Sequence, residues 1–288
     1  MSSSSADLPP DSLVTRAWAR IPAVVRAVLV GFIVLGIGGS VSGVLMFANL
    51  RLAPRLPLFL PLTAVWLWLF WRFANGAGWP RRTSAARRGS LRARALPARV
   101  WAWALIAGGL ALIAVMGIAF VTYRFATLPG AAYRAPFDVA AFPPWTMASI
   151  FVAVALTAGV VEEAAFRGYM LSGIQRRHGW FVGIGLVTIL FYLAHLSHAY
   201  ATIAFVPFFL AHGLVFGLLV RYTGSIVPGV VLHALSDLVV LPMQYGVVPS
   251  AGQWEFVSHG WMTLAAAVAA VPAFRRLARA ASAIGSEP

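Results

Sequence analysis

The sequence predicts an all-α, polytopic membrane helix bundle of about eight transmembrane helices, and three observations carry that expectation. The 288 residues are 60% hydrophobic and only 10% charged, where a soluble domain has about a quarter of its residues charged, and the mean hydropathy is +0.83. Eight apolar segments each come close to the roughly 20 residues an α-helix needs to cross a bilayer. Arginines gather at the edges of those segments, as the flanks of membrane spans require. The net charge of +14 is carried by arginine alone, because the chain has no lysine. Nucleic-acid binding is therefore not expected: the arginines mark span ends, not one basic face. The chain has no cysteine, which excludes disulfides, thiolate metal sites and a cysteine nucleophile.

Residues 1–20 are polar, lack a cleavable signal peptide, and are expected to form a disordered cytoplasmic tail. The spans are expected at Ala23–Leu50, Leu56–Trp71, Val100–Tyr123, Pro144–Val161 (continuing as helix), Trp180–His195, Tyr200–Val220, Ile226–Met243 and Phe256–Phe274. The second is short and carries Pro57 and Pro61 near its start. Four units follow: the tail, accessory helices over 21–143 with a basic cytoplasmic loop at 72–99, a core over 144–243, and 244–288 as the last helix with a basic tail.

Orientation follows from arginine. With the N-terminus inside, 18 arginines fall on the cytoplasmic side, and Arg51, Arg55, Arg124 and Arg134 fall outside. That asymmetry places both termini in the cytoplasm of a multi-pass protein of the cell membrane. The loop between Arg72 and Arg99 contains no acid and is expected to lie against anionic membrane lipids.

Three of the eight acidic residues, Glu162, Glu163 and Asp237, sit inside apolar stretches. A carboxylate there costs about 2.5–3.5 kcal/mol by insertion scales, so such groups mark chemistry or transport. In the run Glu162-Glu163-Ala164-Ala165-Phe166-Arg167, Glu163 and Arg167 are four apart and share a helical face, which suits an ion pair. Glu162 points about 100° away and is left free to take a proton. Phe191 precedes His195 by four residues and stacks on its face. The turn between these helices is expected near Gly179, 17 residues after Glu162 and 16 before His195. Antiparallel neighbours then bring both side chains to one depth. His233 and Asp237, again four apart, share a face of the seventh span. Gly213, Gly217, Gly224 and Gly229 let these helices approach closely. For His212 a packing hydrogen bond is expected, and for the tryptophans near span ends an interfacial belt.

The order EExxxR, FxxxH, HxxxD on consecutive membrane helices resembles the CPBP intramembrane proteases. These are the type-2 CAAX prenyl endopeptidases and their bacterial relatives in the Abi or "CAAX protease self-immunity" group. The likeness spans about Pro144 to Met243 and includes Phe208-Phe209, Gly213, Gly217, Arg221, Thr223-Gly224-Ser225 and Pro228. It implies glutamate-dependent hydrolysis of a peptide bond in a membrane-associated protein or peptide. Glu162 and His195 would activate water, His233 and residue 237 would bind the oxyanion, and Glu163 with Arg167 would hold the first motif in shape. The family commonly has asparagine at the last motif position, where this chain has Asp237. An ionised carboxylate cannot donate to an oxyanion, so Asp237 must either carry a proton or orient His233.

Other mechanisms fit the residues less well. HExxH and GxSG are absent, and the membrane segments offer one aspartate, not two. No cofactor is expected; the alternative is zinc held by Glu162, His195, His198 and His233. Outside enzymes, two readings remain open: a catalytically silent CPBP-like scaffold or immunity factor, and a proton-coupled transporter using Glu162, Glu163 and Asp237. The substrate's identity and the oligomeric state are not encoded in any motif.

Overall fold

A computed structural model describes residues 13–126, 138–244 and 253–283. Arg134, the first 12 residues and the side chain of His259 lie outside the described residues. The described residues form helices and contain no strand, in the order α1 (Leu13–Arg20), α2 (Ala23–Leu52), α3 (Phe59–Ala74), α4 (Ser84–Leu91), α5 (Ala98–Phe125), α6 (Pro144–Thr157), a π-helical segment (Ala158–Met170), α7 (Leu171–Ala194), α8 (Val206–Thr223), α9 (Val227–Gln244) and α10 (Gln253–Ser282). Four stretches are long and apolar enough to cross a membrane, namely Ala23–Leu52, Ala98–Phe125, Pro144–Ala194 and Ile203–Thr223, with shorter apolar helices at Phe59–Ala74 and Val227–Pro242. The third is two passes, because Gly179 breaks it with φ 77° and ψ 173°. That left-handed φ is open to glycine without a Cβ clash. The chain folds back there: a Cβ on Gly183 would stand 3.0 Å from both Gln175 and Leu171.

Each expected span overlaps a helix with ends shifted by a few residues, except that the last helix runs on past Phe274 to Ser282. The second starts at Phe59 because Pro57 cannot lie inside it, while Pro61 falls in its first turn, where a missing N–H costs nothing. A residue the sequence did not single out builds this hairpin. Buried Asn49 donates from Nδ2 to the carbonyls of Ala53 and Leu56, both at 2.9 Å, and its Oδ1 accepts from Phe59 N–H. One amide thus satisfies the α2 end and the orphan donor opening α3. Trp66, expected in an interfacial belt, instead ties the two helices by donating Nε1–H to Gly38 O at 3.1 Å.

The basic loop is folded. Arg87 is buried, and its guanidinium donates to the carbonyls of Phe73, Ala77, Gly78 and Pro80. Main-chain oxygens thus take the place of the carboxylate that this loop lacks.

The π-helical segment is the hub of the bundle, packing against α2, α3, α4, α6, α7, α8 and α9. The sequence reading continued α6 as ordinary helix; the structure winds these 13 residues i→i+5. Such winding is uncommon and clusters at functional sites. Every residue from Glu163 to Met170 is buried. α9 packs close to the segment: a Cβ on Gly159 would meet Val230 O at 2.7 Å. α10 lies along α5, and the two pack with α8 around a core that includes Val100, Leu112, Phe216 and Leu277.

Candidate active site

Glu163 is completely buried, and an apolar setting tolerates its charge only if it is paired. Arg167 Nη1 donates to Glu163 Oε1 at 3.0 Å, with the two side chains 1% and 0% exposed. The guanidinium is further enclosed by the rings of Phe191, Phe216 and Phe166, whose centroids lie 4.5, 5.2 and 5.9 Å from Cζ. The i, i+4 pair expected from the sequence is therefore formed, despite the π winding.

The same carboxylate has a second partner, which the sequence reading missed. His233 Nδ1 donates to Glu163 Oε1 at 3.0 Å. No local pattern signals this bond, since 70 residues separate the two. It exists because α9 packs directly on the π segment: a Cβ on Gly229 would stand 3.1 Å from Glu163 Oε2. Glu163 thus links the first motif to the third.

Glu162 has no such partner. Its Oε2 makes no hydrogen bond among the described residues and lies 3.9 Å from both His195 Nε2 and His233 Nε2. At 3.9 Å the contacts are too long for direct hydrogen bonds, but one water can touch each pair of groups. The depth match expected from the Gly179 hairpin is realised.

His195 is fixed from behind. Its Nδ1–H donates to Phe191 O at 2.8 Å, so the neutral ring turns the lone pair of Nε2 toward Glu162. The Phe191 ring sits 4.4 Å from the imidazole, as the FxxxH spacing suggests. Phe191 also stacks on His212, with centroids 5.2 Å apart and planes 13° from parallel, and touches Phe166 at 5.1 Å and His233 at 6.5 Å. A single buried ring therefore spaces three histidines and the Arg167 cation.

Asp237 stands one turn beyond His233, with Oδ2 3.9 Å from His233 Nε2. It is a quarter exposed, so the pair expected on α9 shares a face without bonding directly. His212 departs from the expected packing bond: its Nδ1 is buried with no hydrogen-bond partner among the described residues. His198 lies past the end of α7, on the exposed surface, where Ser197 Oγ is 3.3 Å from its Nδ1. Among the described residues, no group of three or more His, Asp and Glu side chains is placed to hold a metal ion.

Beside Glu162 a cavity of about 230 Å³ opens between α2 and the α6–π helix, lined by Leu35, Ser42, Met46, Val154, Thr157 and Val161 among others. Its wall is mostly apolar, with the hydroxyls of Ser42 and Thr157 and with Glu162 as its one charged side chain.

Comparison with known proteins bears on the same stretch. Residues 144–239 match the family model described as Type II CAAX prenyl endopeptidase Rce1-like, so the resemblance seen in the motifs holds over the core. All six residues Glu162, Glu163, Arg167, His195, His233 and Asp237 fall inside it. The matched family is one of proteases, and the chain that carries the match is a polytopic helical membrane protein. No curated protein and no solved structure matches the chain.

Proposed function

We propose that this protein is an intramembrane endopeptidase that cleaves a peptide bond of a membrane-associated protein or peptide, with Glu162 as the general base. The observation that carries this reading is the position of Glu162 Oε2, with no hydrogen bond among the described residues and 3.9 Å from the imidazoles of both His195 and His233. Water between Glu162 and His195 can donate one hydrogen to the carboxylate and one to Nε2, which leaves an oxygen lone pair directed outward. As that oxygen attacks the scissile carbonyl, Glu162 takes the proton. The C–O bond forms and the carbonyl π electrons move onto oxygen. Collapse of this intermediate breaks the C–N bond, and Glu162 returns the proton to the leaving amine.

His233 is the group best placed to hold the oxyanion. With Nδ1–H donating to Glu163, donation from Nε2 as well requires the imidazolium. The carboxylates of Glu162, Glu163 and Asp237 supply its counter-charge. Asp237 then orients that ring and need not donate itself. Arg167 fixes Glu163, and through it His233, before substrate arrives, which is what preorganised stabilisation demands.

The apolar cavity next to Glu162 favours an apolar substrate segment arriving from the side of α2. The arginine asymmetry supports a reading in which both termini are cytoplasmic and the chain lies in the cell membrane. The test is a comparison of membrane peptides from cells expressing wild type or Glu162→Gln. A product made only by the wild type is expected. If both make it, Glu162 is not the base. If the wild type yields no product and both chains support the same phenotype, the protein is a scaffold.

A further inference from the structure

The guanidiniums of the loop fall into two kinds. Arg87 is held by four carbonyls, through Nη1 and Nη2. Arg92 and Arg94 are not, although the backbone around them is held firmly. Arg92 ends α4 with φ 57°, a left-handed conformation that a non-glycine residue adopts where its surroundings impose it. Ile226 N–H donates to Arg92 O at 3.1 Å, and Ser225 Oγ–H donates to Arg94 O at 2.9 Å. These bonds clamp 92–94 onto the turn between α8 and α9, where Arg94 Nη1 lies 3.9 Å from the place a Cβ on Gly224 would occupy.

The clamped segment faces the Gly179 turn. The Arg92 guanidinium lies over the indole of Trp180, 5.1 Å from the ring centroid. Burial, then Arg176 and Arg94, push Arg92 down to about 10. Arg92 and Arg94 are held where the end of α4 meets the α8–α9 turn, and Arg176 lies on α7, which packs against α4, just before the Gly179 turn that carries Trp180. No carboxylate joins them: every ion pair among the described residues involves Glu162, Glu163 or Asp237. Like charges gathered in this way, with no anion beside them among the described residues, suit an anion from outside.

The surroundings identify the anion. Beside Trp180, Phe181 is 90% exposed and Val182 is 47% exposed, an apolar surface running along the helix away from the charges. An indole between cations and hydrocarbon-facing side chains suits the interfacial level of a bilayer. We propose that Arg92, Arg94 and Arg176, with Trp180, form a binding site for the headgroup phosphate of an anionic phospholipid whose acyl chains lie against Phe181 and Val182. This site is separate from the proposed peptidase centre and does not depend on it.

The full-length protein in nanodiscs of phosphatidylcholine with admixed phosphatidylglycerol, read by native mass spectrometry, tests the proposal. At about fivefold per arginine near a headgroup surface, three arginines give a preference on the order of 100-fold for the anionic lipid. Arg92→Gln/Arg94→Gln/Arg176→Gln should remove most of that preference. Arg81→Gln/Arg82→Gln/Arg88→Gln, with the same loss of charge elsewhere on the loop, should keep it. Equal loss in both variants overturns the site in favour of diffuse attraction, and displacement of the lipid by inorganic phosphate overturns the lipid assignment. If the first variant does not fold, Arg176→Gln alone, an exposed change, must lower the preference about fivefold; no change there overturns the proposal.

Discussion

Replacing Arg167 by methionine isolates what the buried pair does. At 3.0 Å, and an effective dielectric of roughly 20, the attraction between the two charges is about 5.5 kcal/mol. Desolvation of both ions offsets much of that in the intact protein. Removing the arginine alone leaves a carboxylate with only His233 beside it in an apolar setting, which costs about 3–5 kcal/mol. Loss of the contact with the Phe191 ring, 4.5 Å from the guanidinium, adds about 1 kcal/mol. Arg167→Met should therefore cost about 4–6 kcal/mol. Glu163→Gln/Arg167→Met should cost far less, because neither charge remains and the glutamine oxygen still accepts from His233. Equilibrium unfolding in mixed detergent micelles across the four chains of the double-mutant cycle measures the coupling, expected at about 3 kcal/mol. A coupling below about 1 kcal/mol refutes the argument that burial makes this pair obligatory.

Gly159→Ala drives a Cβ against Val230 O and the Ala234 main chain, neither of which can rotate away. It should cost about 1–3 kcal/mol and, by displacing α9, lower cleavage more than tenfold, while Gly36→Ala, with nothing within 4 Å, leaves both unchanged. Asp237→Asn removes one of the carboxylates that face the His233 imidazolium and should lower the cleavage rate about tenfold; an unchanged rate would refute its role in orienting that ring. Asn49→Ala strands the Phe59 N–H and two carbonyls and should cost about 2–4 kcal/mol, seen as a lower thermal midpoint with unaltered cleavage per folded molecule.

Much of the architecture can be read from the chain because hydrocarbon imposes strict rules. Span length, the arginine-rich flanks and the Gly179 turn are local properties, and the 17- and 16-residue offsets of Glu162 and His195 from that turn follow from helical rise alone. The i, i+4 spacing of Glu163 and Arg167 likewise needs no tertiary information. What escaped the sequence depends on packing between distant segments. The i→i+5 winding of Ala158–Met170 has no composition signature; it accompanies close packing of α2, α7 and α9 around one helix. The Glu163–His233 bond joins residues on helices whose approach is set by Gly159 and Gly229. Asn49 reads as an ordinary polar residue near a span end until the α2–α3 hairpin supplies its three partners. His212 reads as a packing donor, yet its neighbours are the rings of Phe191 and Phe216, which offer its Nδ1 no acceptor.

The four carbonyls that receive Arg87 carry a consequence for how this loop tolerates change. Main-chain oxygens are the same whatever side chains surround them, so Arg87 ties down the stretch from Phe73 to Pro80 without help from any acid. The exposed arginines at 81, 82 and 88 carry none of this duty and can drift, or be tuned, according to what they meet at the headgroup layer. A swap at 81, 82 or 88 changes the diffuse charge of the surface and leaves the proposed headgroup site in place; a swap at 87 unmakes the surface itself.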